Sequence, residues 1–342
     1  MDVLVPSVHK LHYPPSYHPE RPERVEIAIR GMREEGLEPN IVDPGMKDAE
    51  ILTSVHERAY IEYIRGRGRG YIDMDTYFSE GTFEAALAAV SCAVEAADRV
   101  ARGEFLSISL ARPPGHHAGR SGAAMGCRTL GFCIFNNAAI AAVELMKRGI
   151  MPIAILDFDL HHGNGTQEIF WYNPEVLHID LHDAFEYPGT GWPSDLGGGA
   201  ARGTKVNIPI YPETGDKGYI FMLEDILNFL MEKFRPKAFV VSAGFDAYSG
   251  EGMGYISLSS RAYWRIGSIL RELSETWSIK GFAVILEGGY SIGLRKGLPS
   301  FVRGISGMGG EGVEGELEEG TRQHKIFLQL KEFLSGSDDI KV

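Results

Sequence analysis

Short apolar runs that stop abruptly at polar residues alternate with longer amphipathic stretches along this chain. The run at residues 151–156 is rich in aliphatic and β-branched side chains, which is typical of a strand buried on both faces. Similar runs predict strands at residues 2–6, 105–111, 176–181, 237–243 and 282–286, and helical patterns fall at residues 25–35, 80–102, 132–148, 216–234 and 259–276. This alternation predicts right-handed βαβ units and an α/β fold with a central, mostly parallel sheet flanked by helices.

The length of the chain and the segments between the predicted elements indicate its domain organisation. A length of 342 residues permits one large domain or two smaller ones. Because the sequence shows no internal repeat and no linker that would divide it, we predict a single catalytic domain at residues 1–334 and a polar C-terminal tail at residues 335–342.

Polar clusters follow four of the predicted strands directly. They read RPPGHH from residue 112, DFDLHHGN from residue 157, GFD from residue 244 and EGGY from residue 287. The carboxyl ends of parallel strands meet at one edge of a sheet, which is where α/β proteins build their sites. The four clusters therefore predict one shared site at that edge.

The second cluster carries groups that suit a divalent metal. Side chains alternate along an extended segment, so Asp157, Asp159 and His161 point to the same side. Together with Asp246 from another strand end, Asp159 and His161 give an oxygen, nitrogen, oxygen donor set with room for water and substrate. Zinc fits this set, and iron or cobalt would also bind it. A lone Asp-X-Asp is more often a helix cap, so the prediction depends on the other clusters.

Two neighbouring imidazoles and a phenol supply the remaining groups that amide hydrolysis needs. A Pro-Pro-Gly turn holds His116 and His117 in fixed positions, where they can act as base and acid. Asp157 and Asn164 are candidates to accept the ring N–H groups of the two histidines, and their different charges should give the rings different basicity. Tyr290 follows a Gly-Gly turn and can donate a hydrogen bond to an oxyanion.

Composition limits the compartment and the partners. The formal charge is −12 and the pI is about 5.4, so the protein repels phosphate backbones and direct nucleic-acid binding is disfavoured. The sequence shows no apolar run long enough to span a membrane and no signal-peptide pattern, which predicts a cytoplasmic protein that does not bind membranes.

Cys92, Cys127 and Cys133 are odd in number and lack CxxC spacing, which argues against a disulfide framework. The sequence carries no signal for an oligomeric state.

Six segments in a fixed order resemble the zinc-dependent histone deacetylase family, which includes acetylpolyamine amidohydrolases and acetoin-utilisation-type proteins. They are HPERPER at residues 18–24, RPPGHHA at 112–118, GFCIFNNAA at 131–139, DFDLHHGNGTQ at 157–167, AGFDA at 243–247 and EGGY at 287–290. Asn164 and Glu287 make the chain similar to the class II and prokaryotic branch. The resemblance implies a single-domain arginase/deacetylase-like fold with its active site at the carboxyl ends of the strands.

The resemblance also implies a role for each matching residue. Zinc would be bound by Asp159, His161 and Asp246, and His117 would be the general base and acid. His116, paired through Asp157, would help to stabilise charge, while Tyr290 would polarise the acetyl carbonyl. The expected tunnel residues are Gly131, Phe132, Tyr187, Met253 and Gly289, with Asp75 near the substrate-binding rim.

Two further implications concern a second ion and an arginine. Potassium would be bound by Asp157, the backbone oxygens of Asp159, His161 and Leu181, and Asp180, which stands where many members have serine. Arg21 matches a family arginine near an internal channel, whereas Arg24 is expected at a solvated helix start.

These residues predict a zinc-dependent amidohydrolase that removes acetyl or short acyl groups from an amine on an aliphatic stem. The substrate would be an acetyl-lysine-bearing protein, an acetylpolyamine or another small acetylated metabolite. The glutamate that marks polyamine specificity in one branch has no match at Met253, although Glu251 lies two residues away. A catalytically weak regulator that binds an acetylated ligand is the alternative. An arginase-type dimanganese enzyme would need a DAHxD-like run, and a serine hydrolase a G-x-S-x-G motif, and both are missing from the sequence.

Overall fold

The computed structural model describes residues 1–336. Within them the strands are β1 Asp2–Leu4, β2 Asn40–Val42, β3 Gly70–Tyr71, β4 Tyr77–Phe78, β5 Leu106–Ser109, β6 Ala118–Gly119, β7 Gly122–Ala123, β8 Ile153–Asp157, β9 Val176–Asp183, β10 Lys205–Ile210, β11 Ala238–Ala243 and β12 Phe282–Leu286. The α-helices are α1 Glu23–Glu34, α2 Arg58–Arg65, α3 Thr82–Ala101, α4 Asn137–Lys147, α5 Asn164–Ile169, α6 Gly215–Phe234, α7 Ser260–Trp277, α8 Leu298–Ile305 and α9 Arg322–Ser335.

A central sheet in the order β10-β9-β8-β11-β12-β5-β1-β2 organises this part of the chain, and each pair of neighbouring strands in it is parallel. Two short antiparallel pairs, β3-β4 and β6-β7, lie outside it. The predicted α/β fold with a mostly parallel sheet and flanking helices is therefore confirmed. The sequential β8 and β9 are neighbours, while β11 inserts on the other side of β8, so the sheet is wound in both directions from its centre.

Helices cover both faces of this sheet because its central strands alternate apolar side chains between two layers. Ala154 and Leu156 of β8 pack into the cluster formed with α1, α6, α7, α8 and α9, whereas Ile153 and Ile155 pack with α2, α3, α4 and α5. Burying an aliphatic side chain of this size contributes about 1.5–3 kcal/mol. Both faces of β8 are thus apolar, and its first polar side chain appears where the strand ends, at Asp157.

Several predicted elements differ from the structure in their bounds, and some strands, β10 of the central sheet among them, were not predicted. Helix α4 was expected from residue 132 but begins at Asn137, because the Asn136 side chain accepts a hydrogen bond from the N–H of Ala139 and caps it, while Phe132 has a φ of +69°. Strand β10 was missed because polar Lys205 and Asn207 interrupt its apolar pattern, although both are buried. The predicted tail began at residue 335, which is the last residue of α9; residues 337–342 lie outside the described part of the chain.

Two more observations concern predictions made from composition. Across residues 1–336, none of the helices combines the length and apolar composition needed to cross a bilayer. Cys92, Cys127 and Cys133 are free thiols.

His56 connects two loops that frame the edge of the sheet. Its Nδ1–H donates to the carbonyl of Gly119 at 2.8 Å, and its Nε2 accepts the N–H of Asn136 at 2.9 Å. This network needs a neutral ring, since a proton on Nε2 would face another donor. Burial lowers the pKa of His56 to about 4.

This environment predicts a pH-dependent loss of stability. Unfolded histidine takes up a proton near pH 6.5, but folded His56 takes one up only near pH 4, so the free energy of unfolding should fall as pH decreases through this window. A shift of this size corresponds to about 3 kcal/mol. Urea unfolding at several pH values should show a shallower pH dependence for His56→Gln, whose amide can still donate and accept, than for the unchanged protein. Equal slopes for the two proteins would contradict the role of His56.

Candidate active site

The four polar segments predicted from the sequence meet at the carboxyl edge of the sheet. The register pairs Asp157 at the end of β8 with Ser242 in β11, and Leu286 at the end of β12 with Ala243. On the other side β12 pairs with β5, whose Ser109 lies opposite Ile285. The segments that follow β5, β8, β11 and β12 therefore leave the sheet side by side.

Asp159, His161 and Asp246 form a compact group of potential metal ligands. One donor atom from each lies within 4.8 Å of the others. Nδ1 of His161 is 3.1 Å from Oδ1 of Asp159 and 3.2 Å from Oδ2 of Asp246. Burial opposes a charge on His161, yet its close contacts with the carboxylates of Asp159 and Asp246 outweigh burial and raise its pKa to about 10. The two carboxylates therefore place negative charge where a cation can bind.

Backbone groups hold this cluster in a way that fits a metal ion. N–H groups of His161 and Leu160 donate to Oδ1 of Asp159 and Oδ1 of Asp246 at 2.9 and 3.0 Å. Oδ2 of Asp246 is buried and accepts no hydrogen bond of regular geometry. A Cβ on Gly244 or Gly288 would lie 2.2 Å from a carboxylate oxygen of Asp159 or Asp246, so the backbone closes around the ligands. Two carboxylates and an imidazole suit zinc, and also iron or cobalt.

Two imidazoles lie beside this group, each with its own hydrogen-bond acceptor. His116 donates from Nδ1 to Oδ2 of Asp157 at 2.9 Å, and His117 donates from Nδ1 to Oδ1 of Asn164 at 2.8 Å. The amide orientation of Asn164 is fixed because its Nδ2 donates to the carbonyl of Ala124 at 3.0 Å. The ring centroids of the two histidines are 4.0 Å apart. Each ring therefore keeps its Nε2 available for chemistry.

The two rings differ in basicity for physical reasons. Burial opposes a charge on His116, but attraction to Asp157 and Asp159 outweighs it and raises the pKa of His116 well above its usual value. Burial lowers the pKa of His117 well below its usual value, and the positive charges of His116 and His161 add to this effect. The pair thus combines a charged imidazole with a neutral one that can accept a proton.

Tyr290 completes the site and packs against Arg24. The guanidinium carbon of Arg24 lies 4.7 Å from the centre of the Tyr290 ring, and its Nε donates to the carbonyl of Gly289 at 2.7 Å. Arg24 is fully buried, so its expected place at a solvated helix start is wrong. Arg21, expected near an internal channel, instead lies over the exposed Tyr17 with its guanidinium carbon 5.6 Å from the ring centre.

A cavity of about 160 Å³ opens beside these groups. Its lining includes His116, His117, Asp159, His161 and Tyr290 at the base, and Asp75, Gly131, Phe132, Tyr187 and Met253 along the walls. Gly289 was expected in the wall, but Gly288 lines the cavity in its place. Gly289 has a φ of +100°, and a Cβ there would lie 2.9 Å from Cβ of Phe245, so this glycine faces the core.

A second buried cluster surrounds Gly163. Its N–H donates to Oδ2 of Asp180 at 2.8 Å, and a Cβ there would lie 2.4 Å from Oδ2 of Asp157. Asp157, Asp180 and His178 bring donor atoms within 4.8 Å of one another. His178 was not singled out from the sequence, and both its ring nitrogens are buried without a hydrogen-bond partner. The side chains of Asp159 and His161 belong to the first cluster, while Leu181 is a buried residue of β9.

Two buried carboxylates hold the turns of this site, and their partners were not predicted from the sequence. Oε2 of Glu287 accepts the N–H groups of Gly115 and His116 at 2.7 and 3.1 Å, so the end of β12 holds the turn that carries the two histidines. Arg112 in the same turn donates from Nε to Oε1 of Glu20 at 2.6 Å. The sequence contains one indication that Arg112 and Glu20 matter to the site, because both residues lie in segments that carry the family resemblance.

Comparisons with known proteins show the family to which the chain belongs. The histone deacetylase domain matches residues 18–305. A probable deacetylase of Archaeoglobus fulgidus is 36% identical over 282 residues, covering 80% of this chain and 77% of the relative, and an acetylpolyamine amidohydrolase of Mycoplana ramosa is 32% identical over 330 residues, covering 84% and 92%. The crystal structure of the HDA15 HD domain superimposes with a TM-score of 0.84 at 30% identity, covering 99% of this chain and 98% of that one. The chain belongs to the histone deacetylase family.

Proposed function

We propose that this protein is a zinc-dependent deacetylase that hydrolyses the acetamide of an amine carried on an aliphatic stem. Membership of a family of deacetylases and amidohydrolases supports a hydrolase. The observation that carries the proposal is that Asp159 and His161, two members of the potential ligand group, line one cavity together with the two partnered histidines and Tyr290.

Asp159, His161 and Asp246 would hold the metal. When bound, zinc would polarise the acetyl carbonyl and lower the pKa of a water molecule. The unsatisfied Oδ2 of Asp246 and the closed glycine backbone around the carboxylates support this assignment. Asp157 and Asp180, which both approach Gly163, together with backbone oxygens of Asp159, His161 and Leu181, would hold potassium. The two carboxylates are buried and close enough that burial, and then the charge of Asp180, raises the pKa of Asp157, and a cation between them would offset this repulsion.

His117, His116 and Tyr290 would each have a different role in the reaction. Neutral His117, oriented by Asn164, would accept a proton from the attacking water and then donate it to the leaving amine. Charged His116, held by Asp157, would stabilise the negative charge that develops beside it. The phenol of Tyr290 would donate a hydrogen bond to the developing oxyanion.

The cavity walls favour a slender apolar stem. Phe132 and Tyr187 supply aromatic surface and Met253 a flexible apolar side chain, while the carboxylate of Asp75 lies at the wall. We propose acetyl-lysine or a small acetylated amine as the substrate. An acetylpolyamine is the second candidate, supported by the similar amidohydrolase of Mycoplana ramosa and by the net charge of −12, which attracts a cationic stem. A cytoplasmic location stays a prediction from the sequence.

One experiment tests both the reaction and its ions. The purified protein would be stripped with a chelator, reloaded with zinc, iron(II) or cobalt, and incubated with an acetyl-lysine peptide and with acetylputrescine in potassium or tetramethylammonium buffer. We expect acetate release that requires the divalent metal, with more product from one substrate than the other and higher activity in potassium. If the metal-loaded protein released no acetate from either substrate, the proposed function would be wrong.

A further inference from the structure

Glu251 is half-buried, and both of its carboxylate oxygens accept hydrogen bonds from the turn that carries Tyr290. Oε1 of Glu251 accepts the N–H of Tyr290 through a short hydrogen bond and the N–H of Ser291 at 2.6 Å. Oε2 accepts the N–H of Gly293 at 2.8 Å and the hydroxyl of Ser291 at 3.1 Å. Both carboxylate oxygens are therefore occupied by donors from one short segment, and the first of these donors is the backbone of Tyr290 itself.

Glu251 lies close in sequence to two residues of the site and forms hydrogen bonds to a third part, the turn that carries Tyr290. It lies between Asp246, a proposed metal ligand, and Met253, which lines the cavity wall. The segment that it holds leads into the helical turn Gly293–Gly297 and then α8. A carboxylate at the start of a helical segment satisfies N–H groups that have no partner within the helix, and these charge-assisted hydrogen bonds are stronger than neutral ones.

The first residues of the turn are fixed by the metal-ligand group and by β11, since the N–H of Gly288 donates to Oδ2 of Asp159 at 2.6 Å and its carbonyl accepts the N–H of Phe245 at 3.2 Å. Gly288 and Gly289 precede Tyr290, and glycine leaves the backbone free to adopt several conformations. On the other side of the turn, Arg24 donates to the carbonyls of Glu287 and Gly289. The guanidinium of Arg24 thus holds two carbonyls of the turn, and Glu251 holds the N–H groups that follow Gly289. Among the side-chain hydrogen bonds of residues 1–336, those of Glu251 are the ones that reach the backbone N–H of Tyr290.

We propose that Glu251 is a positioning residue that fixes the Tyr290 phenol at the reacting carbonyl. Glu251 does not line the cavity, and its oxygens are already occupied, so it acts through the turn and does not contact the substrate. This inference rests on the proposed function, because it assigns Glu251 to the same reaction. A misplacement of about 1 Å at a reacting group can cost ~10²-fold in rate.

A double-mutant cycle tests this coupling. Glu251→Ala should lower kcat about 10- to 100-fold, with KM and zinc stoichiometry close to those of the unchanged protein. In the Tyr290→Phe background the same substitution should change kcat less than about twofold, because the group that Glu251 positions is already missing. Glu251→Gln should recover part of the loss, since its amide oxygen can still accept from the Tyr290 and Ser291 N–H groups. Equal effects of Glu251→Ala in both backgrounds would overturn the proposal.

Asp216→Ala is the matched control. Asp216 also places a carboxylate at the start of a helix from a distant segment, since its Oδ1 accepts the N–H of Ser259, the N-cap of α7, at 2.9 Å. The side-chain hydrogen bonds of Asp216 within residues 1–336 go to Ser259 and not to the Tyr290 turn. We expect this variant to melt at a lower temperature with kcat unchanged. A fall in kcat equal to that of Glu251→Ala would show that general destabilisation explains the effect, and would overturn the proposal.

A second measurement does not depend on activity. In protein labelled with 3-fluorotyrosine, the fluorine resonance of Tyr290 can be assigned by its loss in Tyr290→Phe. Glu251→Ala should shift or broaden this resonance, whereas Asp216→Ala should leave it unchanged. A Tyr290 resonance unaffected by Glu251→Ala would overturn the positioning role, even if no substrate were ever cleaved.

Discussion

Tyr290→Phe should lower turnover of an acetylated amine about 10²- to 10³-fold, the usual effect of removing one oxyanion donor. The ring of Tyr290 remains in place after the substitution, so its contacts with Phe132, at a ring-centre distance of 5.9 Å, and with Arg24 should persist. Steady-state kinetics should therefore show a loss in kcat with little change in KM, and metal analysis should show unchanged zinc content. The loss in kcat would then be due to removal of the Tyr290 hydroxyl and not to a change in the position of the ring.

Tyr263→Phe supplies the matched control for this prediction. The Tyr263 hydroxyl is buried in the core without a hydrogen-bond partner, so its removal deletes the same atom outside the cavity. We expect this variant to keep full turnover. If Tyr290→Phe were as active as Tyr263→Phe, the oxyanion role of Tyr290 would be wrong.

The fold and the placement of the ligand groups could be predicted because they depend on local patterns. The buried run of β8 ends at Asp157, and the alternation expected beyond it brought Asp159 and His161 together, while Asp157 lies in the neighbouring cluster with His178 and Asp180. The same rule of strand ends brought Asp246 and Tyr290 to the same edge. These predictions needed only the alternation of apolar and polar residues and the parallel topology.

The residues that hold the site could not be predicted in the same way, because their partners lie far along the chain. Arg21 and Arg24 are three residues apart in a repeated Glu-Arg pattern, and local sequence does not decide which one faces the interior. The structure decides it through the Gly289 carbonyl, 265 residues away from Arg24. Glu251 likewise contacts donors 39 to 42 residues away.

Small differences in turn geometry explain the remaining error at the cavity wall. Gly288 and Gly289 are adjacent and identical in chemistry, so the sequence cannot distinguish the one that faces the cavity. A φ of +100° at Gly289 turns that residue towards Phe245, and Gly288 then lies against the carboxylates of Asp159 and Asp246. The conformation of a Gly-Gly pair is set by its surroundings, here Arg24 and Glu251.

Asp246→Ala should abolish both zinc binding and turnover, since it removes one of three ligands from the Asp159, His161 and Asp246 group. In the metal-free protein, two buried carboxylates lie side by side and destabilise the fold. Burial, and then the charge of Asp159, raises the pKa of Asp246. The metal-free variant is relieved of this repulsion, so it should melt no lower than the metal-free parent. Added zinc should raise Tm of the parent by mass action and leave Tm of the variant unchanged. Zinc stoichiometry measured by mass spectrometry completes the test, and a variant that kept one zinc per chain would show that Asp246 is not a ligand.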